Sequence, residues 1–174
     1  MAEEVLLVDE HDHFIGRMEK IEAHEKGLLH RAFSIFVYND NGELLMQKRA
    51  YSKYHTPGLW TNTCCSHQRE GETNVEAGKR RLQEEMGFTT DLEDQFSFIY
   101  KAPFSNGLTE HEYDHILTGH FNGIPNPNPN EVAEWKWMKL DEIEKDIEEQ
   151  PENYTAWFKI LLEKYLEKLN NDKR

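Results

Sequence analysis

Sulfur for cross-linking is nearly absent from this chain. Of 174 residues only Cys64 and Cys65 are cysteines, and immediate neighbours cannot form an ordinary structural disulfide. No apolar run is long enough to span a bilayer. Residues 1–16 interleave Glu, Asp and His with aliphatics, unlike a secretory signal. A reducing, cytoplasmic setting without membrane association is therefore expected. Positive charge is also in short supply: 20 Lys and Arg stand against 33 Asp and Glu, a formal net charge of -13. Such a surface repels polyanions, which argues against nucleic acid or an anionic membrane as a partner. A small anionic substrate remains compatible if metal ions or a local basic pocket offset the field. No internal repeat is visible, and the length suits a single domain over 1–174, as a monomer or homodimer.

Strand and helix signals alternate along the chain. Glu4–Asp9 and Arg31–Tyr38 read as strands, and Asp40-Asn41-Gly42 predicts a hairpin returning through Glu43–Arg49. Pro57-Gly58 precedes an extended segment, Leu59–His67. Thr73–Met86 is the clearest helix: Thr73 with Glu76 makes a capping box, and Gly87 stands where a helix-ending glycine belongs. Phe96–Lys101, Glu112–Phe121 and Glu134–Met138 are further strands, with a stiff Pro-Asn alternation at Pro125, Pro127 and Pro129 between the last two. Leu140–Glu149 and Tyr154–Leu169 read as helices; in the second, Trp157, Ile160, Leu161, Lys164 and Leu169 fall near helical spacing, imperfectly at Lys164. The expected fold class is α/β (α+β), a mixed β-sheet sandwiched between α-helices.

On the helix 73–86, Val75, Gly78, Leu82 and Met86 form one apolar stripe, and Arg81 and Glu85 flank it one turn apart. Gly78 would let the helix approach the sheet closely. Glu72, Arg80, the pair Glu84-Glu85 and Gly87 resemble the Nudix signature, whose helix carboxylates hold Mg²⁺ against a diphosphate. Two positions depart from it: Ser66 replaces the opening glycine, and Arg81 replaces the acid that follows the arginine. A cation at that position should damage the cluster that activates water for hydrolysis, but its planar fork can grip a phosphate. An ordinary amphipathic helix with surface ion pairs would show much of the same pattern.

The segments around this helix carry the chemistry. In an extended Thr61–His67, Cys65 and His67 point one way and Cys64 the other; Glu110 and Glu112 likewise share a face, with His111 opposed. His24 and His30 add two imidazoles. Three nitrogens and two carboxylates suit a divalent ion such as Zn²⁺, Mn²⁺ or Fe²⁺, or Mg²⁺ where oxygens dominate. His11, His13, His115 and His120 read as solvated or structural, and His55 is given no role.

Trp60–His67, Glu110–Asp114, His24 with Leu29–Phe33, and Asn126–Val132 together resemble the signature segments of type I isopentenyl diphosphate isomerases, over about Val5 to Leu169 and in the right order. The resemblance implies a Nudix-like fold and a reaction that moves a carbon–carbon double bond by protonation and deprotonation. Cys65 matches the catalytic thiol and Glu112 the catalytic carboxylate. His24, His30, His67, Glu110 and Glu112 match the ligands of one divalent metal (Mg, Mn or Zn). Glu85 matches the ligand of a second ion, Mg²⁺, that arrives with the substrate diphosphate. Lys20, Arg49, Lys53 and Arg81 match the groups that hold that diphosphate, and Tyr100 and Trp157 the aromatics beside the reacting carbons. Two other classes remain open on the residues alone: a Nudix diphosphate hydrolase, which Arg81 disfavours, and a metal- or anion-binding module without catalysis.

Overall fold

The computed structural model describes residues 3–53, 56–103 and 107–172; His55 lies outside them. Nine strands form one sheet: β1 (Glu4–Val8), β2 (Phe14–Glu19), β3 (His30–Tyr38), β4 (Glu43–Arg49), β5 (Trp60–Thr61), β6 (Cys64–Ser66), β7 (Leu92–Pro103), β8 (Thr109–His120) and β9 (Val132–Lys139). Four helices accompany them: α1 (Lys20–Lys26), α2 (Asn74–Met86), α3 (Leu140–Glu149) and α4 (Ala156–Asp172). The mixed α+β architecture expected from the alternating signals is present, with helices on both faces of the sheet.

The sheet is built around β3. It runs parallel to β8, from His30 opposite Glu112 to Tyr38 opposite His120, and antiparallel to β6, with Ser34 opposite Cys65 and Ile35 opposite Cys64. The 40–42 turn is a hairpin in which β3 and β4 pair only at Tyr38 and Leu44; beyond that they splay, and β4 pairs with β5 and β9 instead. The side chain of Thr63 fills the opening. Its Oγ1 accepts from Val37 N at 3.0 Å and donates to Leu45 O at 2.7 Å, so two buried backbone groups without a strand partner there are satisfied. For this reason the expected extended segment 59–67 forms two short strands: β5 follows β4, β6 follows β3, and Asn62-Thr63 cross between them.

Side-chain alternation on β3 divides the core. Phe36, with Leu44, Met46 and Ile116, packs against Ile143 of α3 and Phe158 and Leu161 of α4. Phe33, Ile35 and Val37, with Leu45 and Leu117, pack against Ala77, Leu82 and Met86 of α2. A Cβ on Gly78 would stand 2.7 Å from Leu117 Cδ1 and 2.9 Å from Leu92 Cδ1, so the missing side chain sets the helix–sheet distance. Gly87, at φ 72°, closes α2 in the left-handed region. The prolines that follow lack amide hydrogens, and the intervening Asn126 and Asn128 donate theirs to Met86 O and Glu85 O, at 2.9 Å each.

Several elements differ from expectation. β2 and α1 carry no sequence signal strong enough to predict them. β7 and β8 extend well beyond 96–101 and 112–121 toward Pro103 and Thr109, because their antiparallel register continues through Pro103 opposite Thr109. Tyr154 does not begin α4; it bridges to Trp60, and the helix starts at Ala156. Lys164 is exposed, and the buried stripe of α4 is Trp157, Phe158, Leu161, Leu162 and Tyr165.

Candidate active site

Three elements converge on a histidine cluster. α1 ends at Gly27, whose φ of 64° turns the chain straight back into β3. His24 and His30 are thereby brought ring to ring, with centroids 5.2 Å apart. His67, just past β6, stands 5.2 Å from His30 and 6.3 Å from His24. The β3–β8 register supplies Glu112 directly opposite His30. One donor atom from each of His24, His30, His67 and Glu112 lies within 4.8 Å of the other three.

The electrostatics of this cluster suit a cation. Burial, then the neighbouring His30, push the His24 imidazole down to about 4. Burial also lowers His67, although Glu112 pulls the other way. For Glu112, burial alone would favour the neutral acid, but the adjoining His30 and His67 imidazoles outweigh it and hold the carboxyl well below its usual range. His30 Nδ1 lies 2.9 Å from Leu28 O, and a carbonyl only accepts, so Nδ1 carries the proton and Nε2 presents its lone pair. That Nε2 is buried and faces Glu112 Oε2 at 3.3 Å without an aligned hydrogen bond. Neutral imidazoles and an ionised carboxylate are the forms a divalent ion binds, and these residues fit one.

Glu110 is not gathered with the other four. β7 places Tyr100 opposite Glu112, and its hydroxyl lies 2.6 Å from Glu112 Oε1 and 2.9 Å from Glu110 Oε2. Burial, then the Glu112 charge, push the Glu110 carboxyl up, favouring its protonated form.

The two cysteines occupy opposite faces of β6, as alternation requires. Cys64 is fully buried in the core beneath α2. Cys65 faces the cavity, where burial raises its thiol well above the usual range. Beside it, Trp157 donates from Nε1 to Thr61 Oγ1 at 3.1 Å, and the Arg49 guanidinium lies 5.1 Å from the centre of the Trp157 ring.

The cavity itself measures about 690 Å³ and brings together almost every residue singled out in the sequence. Cys65, His24, His67, Tyr100, Glu110, Glu112 and Trp157 line it, together with Lys20, Arg49, Lys53, Arg81 and Glu85. Several of its cations meet acids: Lys20 pairs with Glu3 at 3.2 Å, Lys53 with Glu131, and Arg81 donates to Glu85 at 2.6 Å. Burial works against the Arg81 charge, but Glu85 more than compensates and raises the guanidinium further. Glu85 also accepts from Gln47 Nε2 at 3.0 Å. Arg80, by contrast, is tied to Glu72 through Nε at 2.7 Å and Nη2 at 3.0 Å, bracing the loop before α2.

Four residues of the site escape sequence reasoning. Glu131 pairs with Lys53 and lies 3.7 Å from Arg81. Asn62, Ser34 and Asp114 form hydrogen bonds around Cys65. Asn62, Asp114 and Glu131 stand inside the segments that carry the family resemblance, which is the only signal they have; Ser34 has none.

Comparison with known proteins agrees with this geometry. A family model for the NUDIX domain matches residues 28–158. A Photorhabdus laumondii protein named Isopentenyl-diphosphate Delta-isomerase 2 is 50% identical over 162 residues, 93% of this chain and 92% of its own. One from Aromatoleum aromaticum with the same name is 46% identical over 166 residues, covering 95% and 88%. Among solved structures, a Deinococcus radiodurans protein superposes with TM-score 0.77 at 22% identity, covering 93% of this chain and 98% of that one. The MutT protein of Methanosarcina mazei superposes with TM-score 0.65 at 18% identity, covering 80% and 94%. These structural likenesses establish the fold, and the sequence relatives are more specific: the chain belongs to the isopentenyl-diphosphate Delta-isomerase family, on a Nudix fold.

Proposed function

We propose that this protein interconverts isopentenyl diphosphate and dimethylallyl diphosphate by adding a proton to one carbon and removing one from another. The observation that carries the reading is that a thiol, Cys65, and a carboxylate, Glu112, open onto one cavity that Lys20, Arg49, Lys53 and Arg81 also line. The double bond of this substrate is unactivated, so the first step protonates an alkene carbon and leaves a tertiary cation. One group must deliver that proton and another must remove a proton from the neighbouring carbon. Cys65 and Glu112 take these two roles, with Tyr100 hydrogen-bonded to Glu112 and orienting it. The faces of Trp157 and Tyr100 stabilise the cation without trapping it, by about 0.5–2 kcal/mol each.

Binding energy comes from the far end of the substrate. Lys20, Arg49, Lys53 and Arg81 hold the diphosphate, and Glu85 shares a Mg²⁺ that the diphosphate brings with it. His24, His30, His67 and Glu112 would hold the resident divalent ion, with Glu110 joining once its proton leaves; Mg, Mn and Zn all suit that set. When bound, that ion supplies positive charge that keeps Glu112 deprotonated and fixes its orientation.

Hydrolysis is disfavoured because Arg81 occupies the position of a water-activating metal ligand and is itself committed to Glu85. The test is to supply metal-loaded protein with isopentenyl diphosphate, and separately with nucleoside diphosphate derivatives. Dimethylallyl diphosphate should form and phosphate should not be released. Phosphate release from the nucleotides without a double-bond shift would replace this reading by that of a diphosphate hydrolase.

A further inference from the structure

The Cys65 thiol is held by a hydrogen-bonded group whose orientation the fold leaves no freedom to change. Asn62 sits in the crossing between β5 and β6 and is completely buried. Its Nδ2 donates to Ile35 O at 2.9 Å and to Cys64 O at 3.1 Å. Both partners are carbonyls, which only accept, so both amide hydrogens are consumed and the side chain cannot be flipped. Oδ1 must then face the other way, where Thr61 Oγ1 lies at 2.8 Å and Cys65 Sγ at 3.1 Å. Thr61 in turn accepts from Trp157 Nε1 at 3.1 Å. The indole that lines the cavity and the thiol that opens onto it are thus joined through two buried polar side chains, Thr61 and Asn62. On its other side the thiol meets Ser34 Oγ at 3.5 Å, whose own proton is spent on the fully buried Asp114 at 2.9 and 3.1 Å.

We propose that Asn62 is the positioning residue of this site, aiming the Cys65 thiol and fixing its placement against Trp157. The inference rests on the reading of Cys65 as a proton carrier. Asn62 itself is not among the cavity-lining residues, so it acts on the substrate only through Cys65 and the Thr61–Trp157 link. Polar groups of this kind are expensive to bury and are kept where they are hydrogen-bonded, as Asn62 is through both Nδ2 hydrogens and Oδ1. The device explains why the strand crossing reads Asn-Thr rather than a pair of aliphatic residues: Asn62 serves the thiol, and Thr63 closes the sheet.

The experiment combines steady-state kinetics with infrared spectroscopy of the S–H stretch in the full-length protein. The band that disappears in Cys65→Ala reports this thiol, and it should lie below the frequency of a free alkyl thiol. In Asn62→Ala, shown by circular dichroism to be folded, the band should move toward the free frequency. The turnover number should fall about 10²-fold, the scale on which a slight misplacement of a reacting group acts, while KM for isopentenyl diphosphate stays put. A wild-type band at the free-thiol frequency overturns the proposal, and does so even if Asn62→Ala fails to fold. Unchanged turnover in the variant, or a fall matched by an equal rise in KM, overturns it too. Failure of the functional reading is separable from these outcomes: the wild-type protein would then shift no double bond, whatever the position of its S–H band.

Discussion

At the scale of single residues, the adjacent cysteines give the sharpest contrast. On the proposed mechanism Cys65→Ala removes a proton carrier, and general acid–base groups contribute about 10²–10⁴-fold, so isomerisation should fall by at least that range. Cys65→Ser should recover little, because a hydroxyl is a much weaker acid than a thiol. Cys64→Ala trims a side chain in the α2 core and should cost about 1 kcal/mol of stability with turnover retained. Rate measurements on both folded variants check this; an inactive Cys64→Ala beside an active Cys65→Ala would mean that the register of β6 is wrong. A second prediction concerns metal. His67→Ala removes one of four convergent donors, so the purified variant should retain less divalent metal by elemental analysis than the parent. Equal metal content would show that the cluster is not a metal site. These residues were legible in the sequence because strand alternation and family motifs both pointed to them. Asn62, Ser34 and Asp114 were not given roles, because a polar residue that works by filling hydrogen bonds inside a core has no periodicity to betray it.

At the scale of elements, the turn between β1 and β2 is fastened to the body of the sheet by a charged network. His115 on β8 lies 2.8 Å from Asp12 and 3.2 Å from Asp94, and Arg31 donates to Asp12 at 2.7 Å. Asp12 adopts φ 64°, a conformation that this clamp maintains. Burial would lower the His115 imidazole, but Asp94 and then Asp12 outweigh it and raise it above its ordinary value. A group whose folded value is raised adds stability in full below its unfolded value, and loses it as pH rises through the folded one. The destabilisation caused by His115→Gln, from urea midpoints, should therefore be larger near about pH 5.5 than near about pH 8.5. An equal or larger effect at the alkaline end would contradict the sign of this coupling. Of the two readings the sequence left for His115, solvated or structural, the ion pairs favour the structural one, whereas β2 and α1 went unseen for physical reasons. In β2 the apolar Phe14 and Ile15 are both exposed, so no alternation forms. α1 spans 7 residues, too short for a helical period, and buries only Ala23 and His24.

At the scale of the whole molecule, the formal net charge of -13 and an anionic substrate are reconciled locally, because the cavity is lined by as many Lys and Arg as Glu whereas the chain as a whole carries a large acidic excess. Lys20, Arg49, Lys53 and Arg81 line one cavity, while many of the acids, such as those along α3, lie on the exposed surface. The topology that achieves this is a sheet whose β3 and β4 part company, letting the strand crossing at 62–63 carry Cys65 and His67 inward beside β8. Helices α2, α3 and α4 and the stripe on α2 could be read from the sequence, but the splay could not, because it depends on which distant strand β4 chooses as its partner. Since the cavity gathers a thiol, a carboxylate and several cations, the proposed chemistry is a proton-mediated shift of a double bond. It is tested most directly by incubating the protein with isopentenyl diphosphate in deuterated water and following the product by nuclear magnetic resonance. The account predicts dimethylallyl diphosphate, with solvent deuterium bonded to carbon in product and recovered substrate. Unchanged substrate without deuterium, under conditions where the diphosphate is bound, would contradict it.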